Sequence, residues 1–181
     1  MKTVDNAKYQ AQYDPGSLLI RGSWLLVSLI FFRCPVPYPY QLKSALLAMF
    51  GAKIGKNIVI KPEVYIKYPW FLTIGDSSWV GEKAWIDNLG KVVIGNNVCI
   101  SQGAYIATGN HNYKKEAFDL IVKDVTIEDG VWVGAKAIVC PGVTLKTHSV
   151  ITIGSVITHD TNPYTVYQGN PAAAIRERKI D

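Results

Sequence analysis

The sequence predicts an all-β fold in which N-terminal helices precede a parallel β-helix. The main observation is an aliphatic residue at every sixth position between Ile54 and Ile157, with three interruptions. A period of six residues fits neither the 3.6-residue period of an α-helix nor the two-residue alternation of an isolated strand. It is the period of the hexapeptide repeats that build a parallel β-helix. All fifteen places hold Ile, Val or Leu, namely Ile54, Ile60, Ile66, Ile74, Val80, Ile86, Ile94, Ile100, Ile106, Ile127, Val133, Val139, Leu145, Ile151 and Ile157.

A second set of positions, filled by small residues, supports the same fold. The residue four places after each aliphatic lies two places before the next one, and residues two apart in a strand face the same side. Both residues therefore point inward, and a narrow core requires one of them to be small. Twelve of the fifteen places hold such a small residue, and Ile58, Trp70 and Asn110 are the exceptions. The twelve are Val64, Ser78, Ala84, Gly90, Val98, Ala104, Val131, Ala137, Val143, Ser149, Ser155 and Thr161.

Glycine follows the aliphatic residue at several places, where the chain must turn a corner. These are Gly55, Gly75, Gly81, Gly95 and Gly134. We expect the corner to need the permissive backbone of glycine.

The third observation concerns the three interruptions of the six-residue repeat. The steps Ile66–Ile74, Ile86–Ile94 and Ile106–Ile127 each follow a group of three hexads. If three hexads make one turn of a triangular prism, all three interruptions fall on one edge, stacked at the strand spacing of about 4.8 Å. Residues 67–73, 87–93 and 107–126 are therefore expected to lie one above another. Insertions at the edge of a rigid scaffold are common positions for functional residues.

The chain divides into three parts on this basis. Residues 1–50 form an N-terminal extension, in which 1–16 are polar and expected to be loosely held. Two apolar stretches, Leu18–Phe32 and Leu42–Phe50, are predicted to be helices separated by a proline-rich extended link, with Ser17 capping the first. Residues 51–161 are the β-helix with the excursion 107–126. Residues 162–181 form a tail, in which Ala172–Lys179 is predicted to be a short basic helix.

The stretch Leu18–Phe32 has two interpretations. It is shorter than the roughly 20 apolar residues that span a bilayer, and it contains Arg21. It either packs over the end of the β-helix or lies in a membrane interface, where Trp24 and the arginines Arg21 and Arg33 would suit the headgroup region.

The composition limits which kinds of partner and which cellular compartment are expected. The 181 residues carry a net charge of +5, but the basic residues are scattered, which argues against nucleic acid and leaves small polyanions or an anionic membrane surface. The three cysteines, Cys34, Cys99 and Cys140, are widely spaced and fit a reducing compartment. Because the polar start also lacks a cleavable signal peptide, we expect a cytoplasmic protein, with peripheral contact to the membrane through 18–32 as an option.

Among the three histidines, His111 is the candidate for catalysis. It opens the long excursion, next to Asn110, where the small-residue pattern fails. An imidazole titrates near neutral pH and can accept a proton from a hydroxyl. His148 and His159 lie in or beside regular hexads and are expected at solvent-facing corners.

Asp87 and Asn88 are expected one turn below His111, on the same edge. They could orient the imidazole or form hydrogen bonds with a polyol acceptor, and they could equally be turn-forming residues.

Taken together, these motifs resemble the hexapeptide-repeat acyltransferases. The chain is similar to their galactoside and maltose O-acetyltransferase branch, and most similar to the acetyltransferases of exopolysaccharide (colanic-acid type) biosynthesis. The resemblance covers roughly residues 44–178. It is carried by Lys67-Tyr-Pro-Trp70, Trp85-Ile-Asp-Asn-Leu89, Thr108-Gly-Asn-His111 and Gly169-Asn-Pro-Ala172.

The resemblance implies a left-handed β-helix and a homotrimer with active sites between subunits. It implies direct transfer of acetyl from acetyl-CoA to a sugar hydroxyl, with His111 as general base, Asp87 and Asn88 near the acceptor, and no metal. The coenzyme residues that it implies are Trp132, Ala135, Ile153, Gly154, Thr158 and Arg176. Relatives often carry Arg where this chain has Ala173, so the contact with the coenzyme's 3′-phosphate depends on Arg176 and its basic neighbours.

Two other functions fit the same fold. A γ-carbonic anhydrase-like hydratase needs several histidines converging on a metal, and the wide separation of His111, His148 and His159 argues against it. A non-catalytic scaffold is also compatible, because fold does not dictate function. The position of His111 at a break in a regular core favours the enzyme.

Overall fold

The computed structural model describes residues 3–9 and 13–181, and most of them form a parallel β-solenoid. The chain winds through about six turns, and each complete turn adds one strand to each of three sheets, of which two have five strands. Sheet A contains β1 (Lys53–Ile54), β4 (Leu72–Ile74), β7 (Val92–Ile94), β12 (Val125–Ile127) and β15 (Thr144–Leu145). Sheet B contains β2 (Val59–Ile60), β5 (Trp79–Val80), β8 (Cys99–Ile100), β13 (Trp132–Val133), β16 (Val150–Ile151), β18 (Thr165–Gly169) and β19 (Ala172–Glu177). Sheet C contains β3 (Tyr65–Ile66), β6 (Trp85–Asp87), β9 (Tyr105–Ala107), β14 (Ile138–Val139) and β17 (Val156–Ile157).

The core is built as the hexads predict. Every key aliphatic residue is buried except Ile54, which is partly buried against the core, and each stacks on its equivalent in the next turn. The twelve small inward residues are buried as well. Of the three exceptions, Ile58 is buried, Trp70 is half-buried and Asn110 is exposed. The narrow prism therefore excludes water along its whole length.

The corner glycines are required for a different reason from the one expected. Their φ angles are not in the left-handed region, so a permissive backbone is not what the corner needs. A Cβ on Gly75 would lie 2.6 Å from the Gly95 carbonyl carbon, and one on Gly134 would lie 2.7 Å from the Ile151 oxygen. Glycine is needed because the backbones of successive turns approach each other too closely for any side chain.

All three interruptions fall on one edge of the prism, as predicted. Each follows a strand of sheet C and precedes a strand of sheet A, and we call this edge the C–A corner. The long excursion forms an antiparallel hairpin of β10 (Gly109–His111) and β11 (Leu120–Val122). The corner between sheets B and C, here the B–C corner, holds no insertion.

Two helices cover the N-terminal end of the prism. Helix α1 spans Leu18–Phe31 and begins at the predicted cap Ser17, and α2 spans Tyr40–Met49. The Trp24 indole donates to the Ile66 carbonyl at 2.9 Å, and the buried Lys43 ammonium donates to the carbonyls of Ile60 and Lys61. The helices thus satisfy groups that the first turn leaves without a preceding strand. Neither helix is long enough to cross a membrane.

The described part of the N-terminal segment packs against the excursion. Asp5 N–H donates to the Glu116 carbonyl at 2.9 Å, and the Lys8 ammonium lies 2.6 Å from the Glu116 carboxylate. The Tyr13 hydroxyl donates to the Leu89 carbonyl at 2.6 Å. The segment is therefore tied to the C–A corner, although the sequence suggested a loosely held arm.

The tail differs from its prediction. Residues Ala172–Glu177 form strand β19, which pairs antiparallel with β18, instead of a short basic helix. A helix of eight residues has little stability alone, whereas β18 presents a free edge with unpaired backbone groups. The turn at Gly169-Asn-Pro-Ala172 folds the chain back to cover that edge.

Candidate active site

His111 lies at the end of β10, held in a defined orientation. Its Nδ1 is 2.9 Å from the Phe118 carbonyl oxygen, and its ring stacks on the Phe118 ring with centroids 4.4 Å apart. A carbonyl can only accept, so Nδ1 carries the proton of the neutral ring and Nε2 has the free lone pair. In the neutral imidazole this contact leaves the lone pair on Nε2.

The hairpin fixes this geometry. His111 pairs with Leu120, and the Asn112 N–H donates to the Asp119 carbonyl at 2.8 Å, so Phe118 is carried back over the imidazole. Tyr9 also lies near the imidazole, with ring centroids 5.9 Å apart and the rings tilted by 52°. Neither aromatic neighbour could be inferred from the sequence, because the pairing of β10 with β11 and the path of the N-terminal segment bring them to His111.

Asp87 ends strand β6, one turn below the base of the hairpin, as the stacking of the interruptions predicts. Its carboxylate accepts from the Lys67 ammonium and from the Tyr105 hydroxyl, each at 2.9 Å. Burial, together with this hydrogen bond, raises the pKa of Tyr105 to about 12. The Thr108 hydroxyl donates to the Asp87 carbonyl at 3.0 Å and so joins the two turns.

Asn88 has a different environment from the one expected for an acceptor contact. It is fully buried. Its Oδ1 accepts from the N–H groups of Lys67 and Tyr68, each at 3.1 Å, and its Nδ2 donates to the Tyr68 carbonyl at 2.6 Å. The amide thus holds the first interruption onto the second, and it acts in this chain by positioning Asp87 and Lys67.

Four of the residues assigned to the coenzyme line one cleft of about 630 Å³. They are Trp132, Ala135, Ile153 and Arg176. Gly154 is adjacent, and its N–H donates to the Ala135 carbonyl at 2.9 Å. The cleft follows the B–C corner between the ends of β13 and β16 and the returning strand β19.

Thr158 lies apart from this cleft. It follows β17 and therefore stands at the C–A corner, where its hydroxyl is 2.9 Å from Nδ1 of His159. Arg178 and Lys179, by contrast, do line the cleft. Arg178 also donates to the carbonyls of Gly130 and His148, at 2.8 and 3.2 Å, and so fixes the tail to the prism.

The other histidines lie outside the hairpin that carries His111, although His159 stands beside Thr158 at the same C–A corner. His148 stacks on Tyr164 with centroids 4.7 Å apart, and His159 is exposed. Across residues 3–9 and 13–181, no three His, Cys, Asp or Glu side chains are grouped so that they could hold a metal ion.

The two halves of the candidate site lie at different corners of one chain. His111 and Asp87 follow strands of sheet C, whereas Ala135 and Ile153 follow strands of sheet B. The width of sheet C separates them, so a single copy does not bring the base and the cleft together.

Several curated proteins are similar in sequence. WcaF of Escherichia coli, provisionally named a colanic acid biosynthesis acetyltransferase, is 38% identical over 86% of this chain and 85% of its own length. The galactoside O-acetyltransferase of Escherichia coli is 30% identical over 87% of this chain and 78% of its own length. No protein-family model matches the chain.

Solved structures share the fold. A galactoside acetyltransferase in complex with coenzyme A superposes with a TM-score of 0.77 at 27% identity, over 88% of this chain and 80% of that one. A hexapeptide-repeat acetyltransferase from Vibrio cholerae, complexed with acetyl coenzyme A, gives a TM-score of 0.82 at 23% identity, over 93% and 94% of the two chains.

Proposed function

Because the chain belongs to the hexapeptide-repeat acetyltransferases, with WcaF and galactoside O-acetyltransferase as relatives, we propose that it moves acetyl from acetyl-CoA to a sugar hydroxyl. The relation to WcaF favours an acceptor in the biosynthesis of an extracellular polysaccharide. The observation that carries the proposal is the His111 imidazole, whose Nδ1 is held by the Phe118 carbonyl and whose Nε2 is left as a base.

In the proposed reaction, His111 Nε2 takes the proton of the acceptor hydroxyl as its oxygen attacks the thioester carbonyl. Backbone N–H groups stabilise the resulting oxyanion. The tetrahedral intermediate collapses by breaking the carbon–sulfur bond, and the leaving thiolate takes the proton from the imidazolium. The products are the acetyl ester and free coenzyme A, with no covalent enzyme intermediate.

The Asp87 carboxylate supports the acceptor in this scheme. It lies on the C–A corner one turn below the base of the hairpin, where Lys67 and Tyr105 hold it in place. Each of its oxygens already accepts one hydrogen bond and keeps a second lone pair for a sugar hydroxyl. A carboxylate suits the hydroxyl groups of a sugar, because it accepts from two donors at once. Asn88 contributes by fixing the turn that carries Asp87.

The cleft at the B–C corner is proposed to bind the coenzyme. Trp132 and Ile153 offer exposed apolar surface for the pantetheine arm. Arg176 and Lys179, on the returning tail, provide the positive charge that a coenzyme phosphate requires. Arg176 takes this role in a chain that has Ala173 where relatives often carry Arg. Thr158, at the other corner, could reach a coenzyme only from a second copy.

We further propose a homotrimer with each active site between two subunits, and a left-handed coil as in the family. The separation of His111 from the cleft in one chain supports the shared site. The outward residues of sheets B and C support the contact, because they form apolar columns that include Trp79, Trp85 and Trp132, each about half exposed. Sheet A presents Lys53, Thr73 and other polar residues instead.

The expected location is the cytoplasm, with peripheral contact to the inner face of the membrane as an option. The apolar outer face of α1 supports a peripheral contact through residues 18–32.

The direct test of the reaction is acetyl transfer from labelled acetyl-CoA to a panel of sugars and glycans. We expect transfer by the unmodified chain and none by His111→Ala, with the same oligomer in both. Undiminished transfer by His111→Ala would remove His111 from its role, and absence of acetyl-CoA turnover with every acceptor would count against the function itself.

The shared site is tested by mixing two inactive variants. His111→Ala lacks the base, and Ala135→Trp fills the cleft. Random trimers of the two should regain about a quarter of wild-type activity, because about three in four are mixed and each of these has one complete site. No recovery after mixing would show that each chain works alone.

A further inference from the structure

The outer face of α1 is an unbroken apolar stripe. Its exposed residues recur at helical spacing of three and four, which places them on one side of the helix. Leu19 is 84% exposed and Leu26 is 64% exposed, and no charged residue interrupts the stripe. The members are Leu18, Leu19, Gly22, Leu25, Leu26, Leu29 and Ile30.

The opposite side of α1 is fixed to the prism. Trp24 and Ser28 are buried, and the Trp24 indole is bonded to the Ile66 carbonyl. The apolar stripe therefore cannot turn inward without giving up that packing. With 14 residues, α1 is about 21 Å long and presents the stripe along its whole length.

A cationic cleft of about 350 Å³ runs beside the stripe. Arg21, Arg33 and Lys67 line it together with Leu18 and Leu25 of the stripe. Lys67 is paired with Asp87 at 2.9 Å. Within the described residues, neither Arg21 nor Arg33 forms a salt bridge, and Arg33 Nε is buried without a hydrogen-bond partner, its guanidinium lying 4.9 Å from the Tyr65 ring centroid. The carboxylate of Asp14, which precedes α1, accepts a hydrogen bond from the Gly16 N–H at Oδ1.

We propose that α1 docks on an anionic lipid bilayer, with the stripe in the interface and with Arg21 and Arg33 binding headgroup phosphate in the cleft. Apolar residues next to guanidinium groups match the two layers of a bilayer surface, acyl chain and phosphate. The exposed side chains of the stripe are aliphatic, apart from Gly22, which suits a fluid lipid phase.

A second copy of the chain is a poorer occupant of the same face. Pairing two α1 stripes would bring the arginine pairs of both copies together, and like charges disfavour that contact. The apolar stripe, moreover, is not part of the flanks of sheets B and C proposed for self-association, which the cleft only borders where Arg33 lies over Tyr65.

Docking would also place the C–A corner at the membrane. Lys67 belongs both to the cleft and to the ion pair with Asp87, so the proposed acceptor edge begins where the cleft ends. This consequence rests on the proposed function, whereas the docking itself is measured without any turnover.

The test is co-sedimentation of the full chain with phosphatidylcholine vesicles that contain or lack phosphatidylglycerol. We expect binding to the anionic vesicles, weakened by salt, and little binding to phosphatidylcholine alone. Equal amounts of pelleted protein with and without anionic vesicles would overturn the proposal.

Two double variants test the apolar stripe and the cationic cleft separately. Leu19→Asp combined with Leu26→Asp should lower vesicle partition by more than about tenfold, whereas Ile180→Asp, at another exposed apolar residue, should not change it. Arg21→Gln combined with Arg33→Gln should lower anionic binding by about tenfold or more. The charge-matched control, Lys83→Gln with Lys123→Gln, should lower binding to anionic vesicles much less, because both lysines are exposed and neither lines the cleft.

Each alternative has its own signature. If both double variants bind as their controls do, α1 is not the docking face. If the arginine variant behaves like the lysine control, the cleft is not a phosphate site. A change of oligomer size in the Leu19 and Leu26 variant, by light scattering, would assign the stripe to a second copy.

Discussion

Replacing His111 by Asn gives the sharpest test of the proposed base. The Asn Nδ2 can occupy the place of the imidazole Nδ1 and donate to the Phe118 carbonyl, which is 2.9 Å from Nδ1 in the structure. The hairpin should therefore keep its fold. What is lost is the Nε2 lone pair that would receive the acceptor proton.

The expected loss follows from general-base catalysis. Such a base contributes about 10²- to 10⁴-fold, which corresponds to about 2.7–5.4 kcal/mol of barrier. Because the base acts in the transition state, kcat and kcat/KM should fall together, while KM for acetyl-CoA stays near its wild-type value. His111→Ala should lose at least as much, because it also releases the Phe118 carbonyl.

The assay measures initial rates of labelled acetyl transfer, with circular dichroism and light scattering to verify fold and oligomer. His159→Ala is the matched control, because His159 is exposed and lies outside the hairpin. If His111→Asn keeps more than about a tenth of the activity, the contribution falls below the range for such a base and His111 does not deprotonate the acceptor.

Three further predictions concern stability and the coenzyme. Asn88→Ala removes the three hydrogen bonds of the buried amide and leaves the Tyr68 N–H unpaired, while the Lys67 N–H keeps the Ile86 carbonyl and the Tyr68 carbonyl keeps the Phe71 N–H. An unpaired group of this kind costs about 1–3 kcal/mol, and we expect a fall in Tm by differential scanning calorimetry. Burial and Asp87 hold the pKa of Tyr105 at about 12, above its ordinary value of 10.0. Between these two values the folded state keeps the phenol proton and the unfolded state loses it, so the free energy of unfolding should fall from about pH 10 to pH 12. Tyr105→Phe should flatten this part of the plot of stability against pH. Arg176→Gln should raise KM for acetyl-CoA about fivefold with little change in Tm, whereas Arg178→Gln should lower Tm, because Arg178 donates to two carbonyls.

The repeat could be predicted from the sequence because every turn of the prism imposes the same local requirement. A residue such as Ile86 faces a core so narrow that only one inward place per hexad can be large. The stacking of the turns then follows from the period, and the three interruptions fall on one edge as a consequence. This pattern is local in the sequence, although the contacts that it creates join residues about 20 positions apart.

The tail could not be predicted in the same way. Ala172–Glu177 has the composition of a weak helix, and its strand conformation comes from pairing with β18. The environment of the Asn88 side chain could not be predicted from the sequence either. Its spacing correctly placed it on the C–A corner, but burial of its amide against Lys67 and Tyr68 depends on the path of the first interruption.

Thr158 shows what the repeat itself could have revealed. Counting hexads in groups of three assigns Ala135 and Ile153 to the corner after sheet B, and Thr158 to the corner after sheet C. The same count separates His111 from the coenzyme residues. The sequence therefore contained the evidence that the two halves of the site lie on different edges of one chain.

That separation, together with the position of α1, constrains how the protein can work. The ladder of sheet C lies between His111 and the cleft beside Trp132 in one chain. A neighbouring copy can supply the missing half, and the apolar flanks of sheets B and C are the surfaces available for it. The exposed stripe of helix α1, at the N-terminal end of the prism, is separate from those flanks, although Arg33, which follows the helix, lies over Tyr65 of sheet C. Assembly through the flanks and docking through α1 are therefore compatible, and a docked assembly would turn the Lys67–Asp87 end of each C–A corner toward the membrane.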